Sequence, residues 1–219
     1  MKAAPRPNRT SQEHAVQWLR AAIVARELRP GARVVQEDVA ERIGVSVVPV
    51  REALRVLEQE GQLTYRPRRG YFVTELDVAD LEEIYALRAL LEARAVRHAL
   101  PTLDAEALER MESAARDCVV AAAAGDVAAE LEANRRFHLG LLEAPDQPHL
   151  LRLIRTLWDS TESYRALYYN TPEERDAAAV AHERIMAAVR GGAADPLIAE
   201  LDAHRERALV VLREILAGE

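Results

Sequence analysis

The sequence predicts a mainly α-helical protein, in which a small N-terminal unit precedes a larger all-helical one. Apolar residues recur at spacings of three and four along most of the 219 residues, as in amphipathic helices. Strand-like segments occur only before residue 77. The charge changes at the same place, because residues 1–75 carry 13 Lys and Arg against 9 Asp and Glu, whereas residues 76–219 carry 16 against 27. We therefore expect a basic and an acidic domain with different partners.

The composition excludes several classes of protein. With 49% hydrophobic residues and no repeat, the chain is neither collagen-like nor wholly disordered. No apolar run approaches the roughly 18 residues of a membrane span, and residues 1–18 lack the apolar stretch of a secretory signal. A single cysteine, Cys118, excludes an internal disulfide. We expect a cytoplasmic protein with no membrane partner.

The N-terminal unit begins with a predicted flexible tail, residues 1–10, which is rich in Pro and Arg. From Ser11 the apolar spacing becomes helical, and this first helix ends before Pro30 and Gly31. Val34 and Val35 favour a short strand.

The rest of this unit, up to residue 75, adds two helices and a hairpin. Residues 37–43 are predicted to form a short helix, and Ser46 is the predicted N-cap of another that extends to Gly61. Residues 62–76 resemble two short strands joined by a tight basic turn. Helices and hairpin in this order are typical of a winged helix-turn-helix.

The predicted third helix presents a basic face. Val47, Arg51 and Arg55 recur at spacings of four, opposite the apolar stripe. Arginine can donate two hydrogen bonds to guanine in the major groove or bind phosphates. The turn Arg66-Pro67-Arg68-Arg69-Gly70 concentrates three more cations, which suits the DNA backbone or the minor groove. The alternative is a merely solvated surface, but the net positive charge of the whole unit favours DNA.

The second unit, residues 76–219, shows only helical patterns. Short connections containing Pro or Gly separate the segments, which predicts an antiparallel bundle. The predicted helices are 78–99, 104–124, 126–143, 148–169, 172–190 and 195–217.

Three of the six histidines fall on the apolar stripes of different predicted helices. These are His138, His182 and His204, and Asn134 precedes His138 by four residues on the same helix face. Burying an imidazole costs free energy unless it is satisfied, so three such residues in one bundle are candidates for binding a divalent ion. For any single histidine, the spacing alone favours the alternative of a satisfied core or cleft residue.

Residues 28–73 contain a PG turn, the segments DVAERIGVS and PVREAL, and a P-R-R-G wing. With these motifs they resemble the DNA-binding domain of GntR-family bacterial transcription regulators. The resemblance implies DNA contacts by residues at matching positions, namely Ser46, Arg51, Arg68, Arg69 and Gly70. The family usually has S-R-T-P-V-R where this chain has S-V-V-P-V-R, so Val47 replaces an arginine. We expect a changed operator preference, for example through apolar contact with a thymine methyl group.

Residues 77–217 contain the segments VADLEEIYALRALLEARAVRHAL, NRRFHLGLL and AHERIMAAV, followed by His204. With these segments they resemble the FadR-type effector domain of the same regulators, called FCD. The resemblance implies a divalent metal ion, zinc or nickel, that helps to hold a small carboxylate effector. The implied ligands are Asn134, which stands in place of an Asp, and His138, His182 and His204.

Arg88 matches an arginine that faces the pocket in this family, where it could pair with a carboxylate. The alternative for Arg88 is a salt bridge with Glu92 within its own helix.

The expected function is a ligand-responsive transcription regulator, a repressor rather than an enzyme, that binds a two-fold symmetric operator in double-stranded DNA as a homodimer. One alternative is a metal-dependent hydrolytic enzyme fused to a DNA-binding module, because a three-histidine ion with an open position can activate water. Another is an architectural DNA-binding protein whose bundle only dimerises.

Overall fold

The chain divides into two compact units, Met1–Glu75 and Leu76–Glu219. The computed structural model describes residues 10–143, 147–169 and 171–217. All of the predicted flexible tail except Thr10 therefore lies outside the described residues, as does the predicted helix break at Pro145. No helix within the described ranges is long and apolar enough to cross a membrane.

The N-terminal unit is a winged helix-turn-helix, as predicted. Its three helices pack around a core in which Leu19, Val50, Leu54 and Leu57 are fully buried. Its three strands form one antiparallel sheet in the order β1-β3-β2. The elements are α1 (Ser11–Val24), β1 (Arg33–Val34), α2 (Gln36–Ile43), α3 (Val47–Gln59), β2 (Leu63–Arg66) and β3 (Gly70–Val73).

Two helix starts in this unit differ from the sequence prediction. Thr10, which the pattern assigned to the tail, forms a capping box with Glu13: the Glu13 N–H donates to Thr10 Oγ1 over 3.2 Å, and the Thr10 N–H donates to Glu13 Oε2 over 2.9 Å. Val35 is the N-cap of α2 rather than a strand residue, because its carbonyl accepts the Val39 N–H of the first helical turn.

The second unit is an all-helical bundle within its described residues, which confirms the predicted fold class. Asp77, Asp104 and Asp126 cap α4, α5 and α6 through their side chains, so short acidic turns set these three helix starts. The helices are α4 (Val78–Ala99), α5 (Ala105–Ala124), α6 (Val127–Leu142), α7 (Pro148–Ser160), α8 (Glu162–Tyr168), α9 (Pro172–Gly191) and α10 (Ala194–Ala217), with a 3₁₀ turn at Leu100–Thr102.

The predicted single helix 148–169 was wrong, because it is interrupted at Thr161. The Thr161 hydroxyl donates to the carbonyls of Leu157, over 3.2 Å, and Trp158, over 3.3 Å. Such back-bonding from a threonine favours a bend. The Trp158 carbonyl also accepts from Arg165 over 3.0 Å, so the interruption brings the Arg165 guanidinium back onto α7.

Candidate functional site

The three histidines converge in the interior of the second unit. His138 lies on α6, His182 on α9 and His204 on α10, and each offers a nitrogen within 4.8 Å of those of the other two. Two nitrogens on one tetrahedral zinc ion lie about 3.4 Å apart, since each Zn–N bond is about 2.0–2.1 Å long. Small side-chain rotations would therefore bring the three nitrogens to the distances that coordination of one ion requires.

The buried nitrogens of the cluster have the chemistry of metal ligands. His138 Nε2, His182 Nδ1 and His204 Nδ1 are buried and have no hydrogen-bond partner among the described residues. Asn134 Oδ1 lies 3.1 Å from His182 Nε2. An amide oxygen only accepts, so this contact assigns the proton of His182 to Nε2 and leaves the Nδ1 lone pair free. Asn134, a predicted ligand, thus contacts the second nitrogen of His182.

Burial keeps the three imidazoles neutral. It lowers the pKa of His182 to about 3, with a smaller contribution from His204. Burial also lowers the pKa of His204 to about 4, with Arg88 adding to the effect. The pKa of His138 falls well below its usual range, through burial first and then the other two histidines. Only the neutral imidazole binds a metal, so the three residues fit a divalent ion at neutral pH.

A buried carboxylate organises the charges beside the cluster. Glu92 accepts from Arg88 Nε over 3.0 Å and from Trp158 Nε1 over 2.8 Å, and it also accepts from Arg205. Burial opposes the ionisation of Glu92, but the charges of Arg88 and Arg205 and the hydrogen bonds from Trp158 and Arg88 together outweigh it, so the pKa of this carboxyl is lowered. The guanidiniums of Arg88 and Arg165 each lie 4.2 Å from the centre of the Trp158 ring.

Both expectations for Arg88 have a counterpart in the structure. The salt bridge with Glu92 is present, with both side chains buried. Arg88 also lines a cavity of about 30 Å³ together with His138, His204 and Arg165. Arg165 was missed in the sequence because its position on the predicted helix 148–169 gave no reason to place it beside the histidines.

The predicted DNA-contacting residues of α3 differ in accessibility. Ser46, Arg51 and Arg55 are exposed, and Arg51 Nε donates to Gln36 Oε1 of α2 over 3.3 Å. Val47 is half-buried against the N-terminal core. Val48 is 61% exposed, although the pattern did not single it out.

The wing turn holds an arginine in an unfavourable backbone conformation. Arg68 has φ 63°, Gly70 has φ 92°, and the Arg69 N–H donates to the Arg66 carbonyl over 2.9 Å. Outside glycine, the left-handed region costs about 1–2 kcal/mol. Both Arg68 and Arg69 are exposed. A strained, exposed arginine at a turn that glycine would fit better is a feature typical of functional sites.

Two family models match the chain. "Bacterial regulatory proteins, gntR family" matches residues 11–73, and "FCD domain" matches residues 83–207, more than half of the sequence. The chain belongs to the GntR family. It is a transcription regulator with a DNA-binding GntR domain and an FCD domain, which confirms the resemblance inferred from its motifs. Proteins of this kind are regulators and not enzymes.

Relatives and solved structures agree with this assignment. The regulator YdhC of Bacillus subtilis is 31% identical over 74% of this chain and 73% of its own. The Nta operon transcriptional regulator of Aminobacter aminovorans is 28% identical over 89% of this chain and 91% of its own. The structure of Escherichia coli McbR/YncC covers 94% of this chain and 98% of its own with a TM-score of 0.82 and 24% identity, and supports the fold.

The lowered histidine pKa values predict acid sensitivity of the FCD domain. Unfolded histidine titrates near 6.5, whereas His182 titrates at about 3 when folded. The unfolded chain therefore binds the extra proton between these values, and stability falls as the pH drops from 6.5 towards 3. In urea unfolding of chelator-treated protein, His182→Gln should flatten this dependence by about 1.4 kcal/mol per pH unit.

The comparison of variants isolates His182 from the other titrating groups. Glu130 acts in the opposite direction, since burial raises its pKa to about 7 and outweighs Arg175. The control is His149→Gln, at an exposed side chain, which should keep the wild-type slope. Equal slopes for His182→Gln and wild type would contradict a buried neutral His182.

Proposed function

We propose that this regulator is a repressor whose FCD domain binds a small carboxylate through a divalent metal ion, zinc or nickel. His138, His182 and His204 would hold the ion, and the GntR domain would bind a two-fold symmetric operator as part of a homodimer. The observation that carries this proposal is the set of three buried imidazole nitrogens that have no hydrogen-bond partner among the described residues.

The residues around the cluster have separate roles in this proposal. An ion on three imidazoles would supply an open coordination position for a carboxylate oxygen. Both zinc and nickel accept imidazole ligands. Asn134 orients the His182 ring through Nε2, as outer hydrogen bonds commonly orient metal ligands. Arg88 adds positive charge at the same cavity, in part neutralised by Glu92.

Regulation follows from differential binding. A carboxylate changes operator affinity only if it binds the DNA-competent state and the released state with different affinities. For a repressor the effector binds the released state more tightly, so that adding it lowers operator affinity. Operator titrations with and without a bound acid test this directly: unchanged affinity at saturating acid would contradict effector control.

DNA contact is assigned to α3 and the wing. Arg51 and Arg55, with the N-cap Ser46, lie on the accessible side of α3 and fit the major groove. Arg68 and Arg69 fit the phosphate backbone, and Gly70 gives the wing its tight turn. Val47 would contact a base only at its exposed edge, beside the more accessible Val48.

Dimerisation is assigned to exposed apolar residues of the FCD domain. Leu87 and Leu90 lie three residues apart on α4 and are 41% and 71% exposed, and α7, which packs against α4, carries Leu153 at 53% exposure. Large exposed leucines on adjacent helices are typical of protein contacts. Paired half-sites in DNA also need paired reading domains.

The dimer assignment predicts the effect of a single charge. Leu90→Glu should convert the protein to a monomer in light scattering, because a carboxylate cannot be buried there unpaired. Its operator affinity should fall with the loss of the second half-site. Val180→Glu on α9, at a residue that is 49% exposed, is the matched control and should stay dimeric. A Leu90→Glu dimer would exclude this face.

The wing assignment predicts that Arg68→Gly weakens DNA binding without destabilising the turn. Glycine accepts the positive φ of this position, so the thermal midpoint should stay the same or rise. Affinity should fall about equally for specific and random DNA, and the slope of log K against log salt should fall by about 1.

Arg51→Ala, by contrast, should weaken the free energy of binding to the specific operator by about 1–3 kcal/mol. Arg110→Ala on α5 is the control, and unchanged binding of both wing and α3 variants would refute the DNA surface.

The metal assignment predicts about one divalent ion per chain by elemental analysis. His138→Ala and His182→Ala should lose it, whereas His149→Ala should keep it, because that side chain is exposed on α7. Asn134→Asp should tighten metal binding, since a carboxylate that accepts the hydrogen bond from His182 Nε2 makes the ligating ring more basic. Protein that stays metal-free after incubation with zinc and nickel would refute the metal site.

A further inference from the structure

Arg165 is a buried cation with unused hydrogen-bonding capacity. Its side chain is 5% exposed, and its Nη2 donates to the Trp158 carbonyl over 3.0 Å. Its Nε and Nη1 are buried and have no hydrogen-bond partner among the described residues. A guanidinium carries five N–H donors, and leaving buried donors unsatisfied is costly. Arg165 carries this cost beside the histidine cluster, where the hydroxyl of Tyr85 also has no hydrogen-bond partner among the described residues.

The other buried arginines near the cavity do not share this property. Arg88 and Arg205 both donate to the buried carboxylate of Glu92, and Arg205 also pairs with Asp202. Glu92 therefore serves those two guanidiniums and leaves the charge of Arg165 without a hydrogen-bonded carboxylate.

The electrostatic environment agrees with an uncompensated charge. Burial lowers the pKa of Arg165 to about 10, and the like charge of Arg88 adds to the effect. Glu162 acts in the opposite direction, but more weakly than Arg88. Arg165 still carries its positive charge at neutral pH.

Arg165 lies in the wall of the cavity that His138 and His204 also line. Arg165, Arg88, His138 and His204 surround this space. Its volume of about 30 Å³ holds about two water molecules, so a larger ligand enters it only as the surrounding side chains move apart. The described residues that line this cavity include three arginines, Arg88, Arg165 and Arg205, but only one carboxylate, Glu92. Positive charge therefore dominates the lining, and a divalent ion on the histidines would add to it, which favours an anionic ligand.

We propose that Arg165 binds a second acidic group of the effector, so that the effector is a short dicarboxylate rather than a monocarboxylate. This inference rests on the proposed function, in which one carboxylate occupies the metal site. The second carboxylate accepts from the unused nitrogens of Arg165 and completes their hydrogen bonding. Arg165 is thus a specificity-determining residue, and Arg88 contributes charge while bound to Glu92.

Calorimetric titration of the zinc-loaded full chain tests this with acids matched in carbon number. Malonate is compared with propionate, and succinate with butyrate, at constant ionic strength. One of the dicarboxylates should bind at least about tenfold more tightly than the monocarboxylate of the same carbon number. This is the gain in affinity expected from one additional charge-assisted hydrogen-bonded pair. Arg165→Gln should remove most of that ratio and leave monocarboxylate affinity within about threefold.

Two further variants separate charge from structure. Arg165→Lys keeps the charge and should retain part of the preference for the dicarboxylate. Arg155→Gln, at an exposed arginine of α7 that pairs with Glu143, should behave as wild type. If Arg165→Gln does not fold, the ratio of the two affinities in the wild-type protein still decides the question.

The outcomes distinguish this inference from the function on which it rests. Equal binding of monocarboxylates and dicarboxylates, or an unchanged ratio in Arg165→Gln, overturns the role of Arg165 while carboxylate sensing stands. Binding of none of the four acids by zinc-loaded protein overturns carboxylate sensing itself, and the dicarboxylate inference with it.

Discussion

The interior of the FCD domain depends on the ionised carboxylate of Glu92. This one group accepts hydrogen bonds from Arg88 on its own helix, from Trp158 on α7 and from Arg205 on α10. A charge buried this deeply is stable only when its partners surround it. Removing Glu92 would leave the Arg88 guanidinium and the Trp158 indole N–H without their buried acceptor, and would leave Arg205 with Asp202 alone. The carboxylate therefore fixes three helices relative to one another and, with them, the walls of the cavity.

The histidine cluster is a second group of buried polar side chains beside Glu92, and its charge state is determined in the opposite way. Glu92 stays charged because cations pair with it, whereas the imidazoles lose their charge because burial is not compensated by an anion. Positive guanidiniums next to the rings push in the same direction as burial. In the proposed function, the neutral imidazoles would bind a metal ion through their lone pairs, and the guanidinium charge beside them would attract an acid.

Much of this architecture could be predicted from sequence, because the spacing of apolar residues reports which faces are buried. The helices 78–99 and 172–190 were predicted to within one residue, and three histidines on inward stripes do meet. The interruption at Thr161 was not predictable in the same way, since the apolar period continues across it. The break depends on a hydroxyl that bonds the preceding turn. For the same reason the pattern placed Asn134 on the correct face without indicating that it contacts His182, and gave no sign of Arg165.

The two tryptophans of the chain are divided between the two units, and this has a practical consequence. Trp18 lies half-buried on α1 of the DNA-binding domain, whereas Trp158 is buried. The guanidiniums of Arg88 and Arg165 each lie 4.2 Å from the centre of the Trp158 ring. Indole emission responds to the local electric field, and here that field is set by the same cations that line the cavity. Trp158 is therefore an intrinsic fluorescent reporter of the cavity. A molecule that displaces either arginine shifts the wavelength of Trp158 emission, so no dye has to be attached.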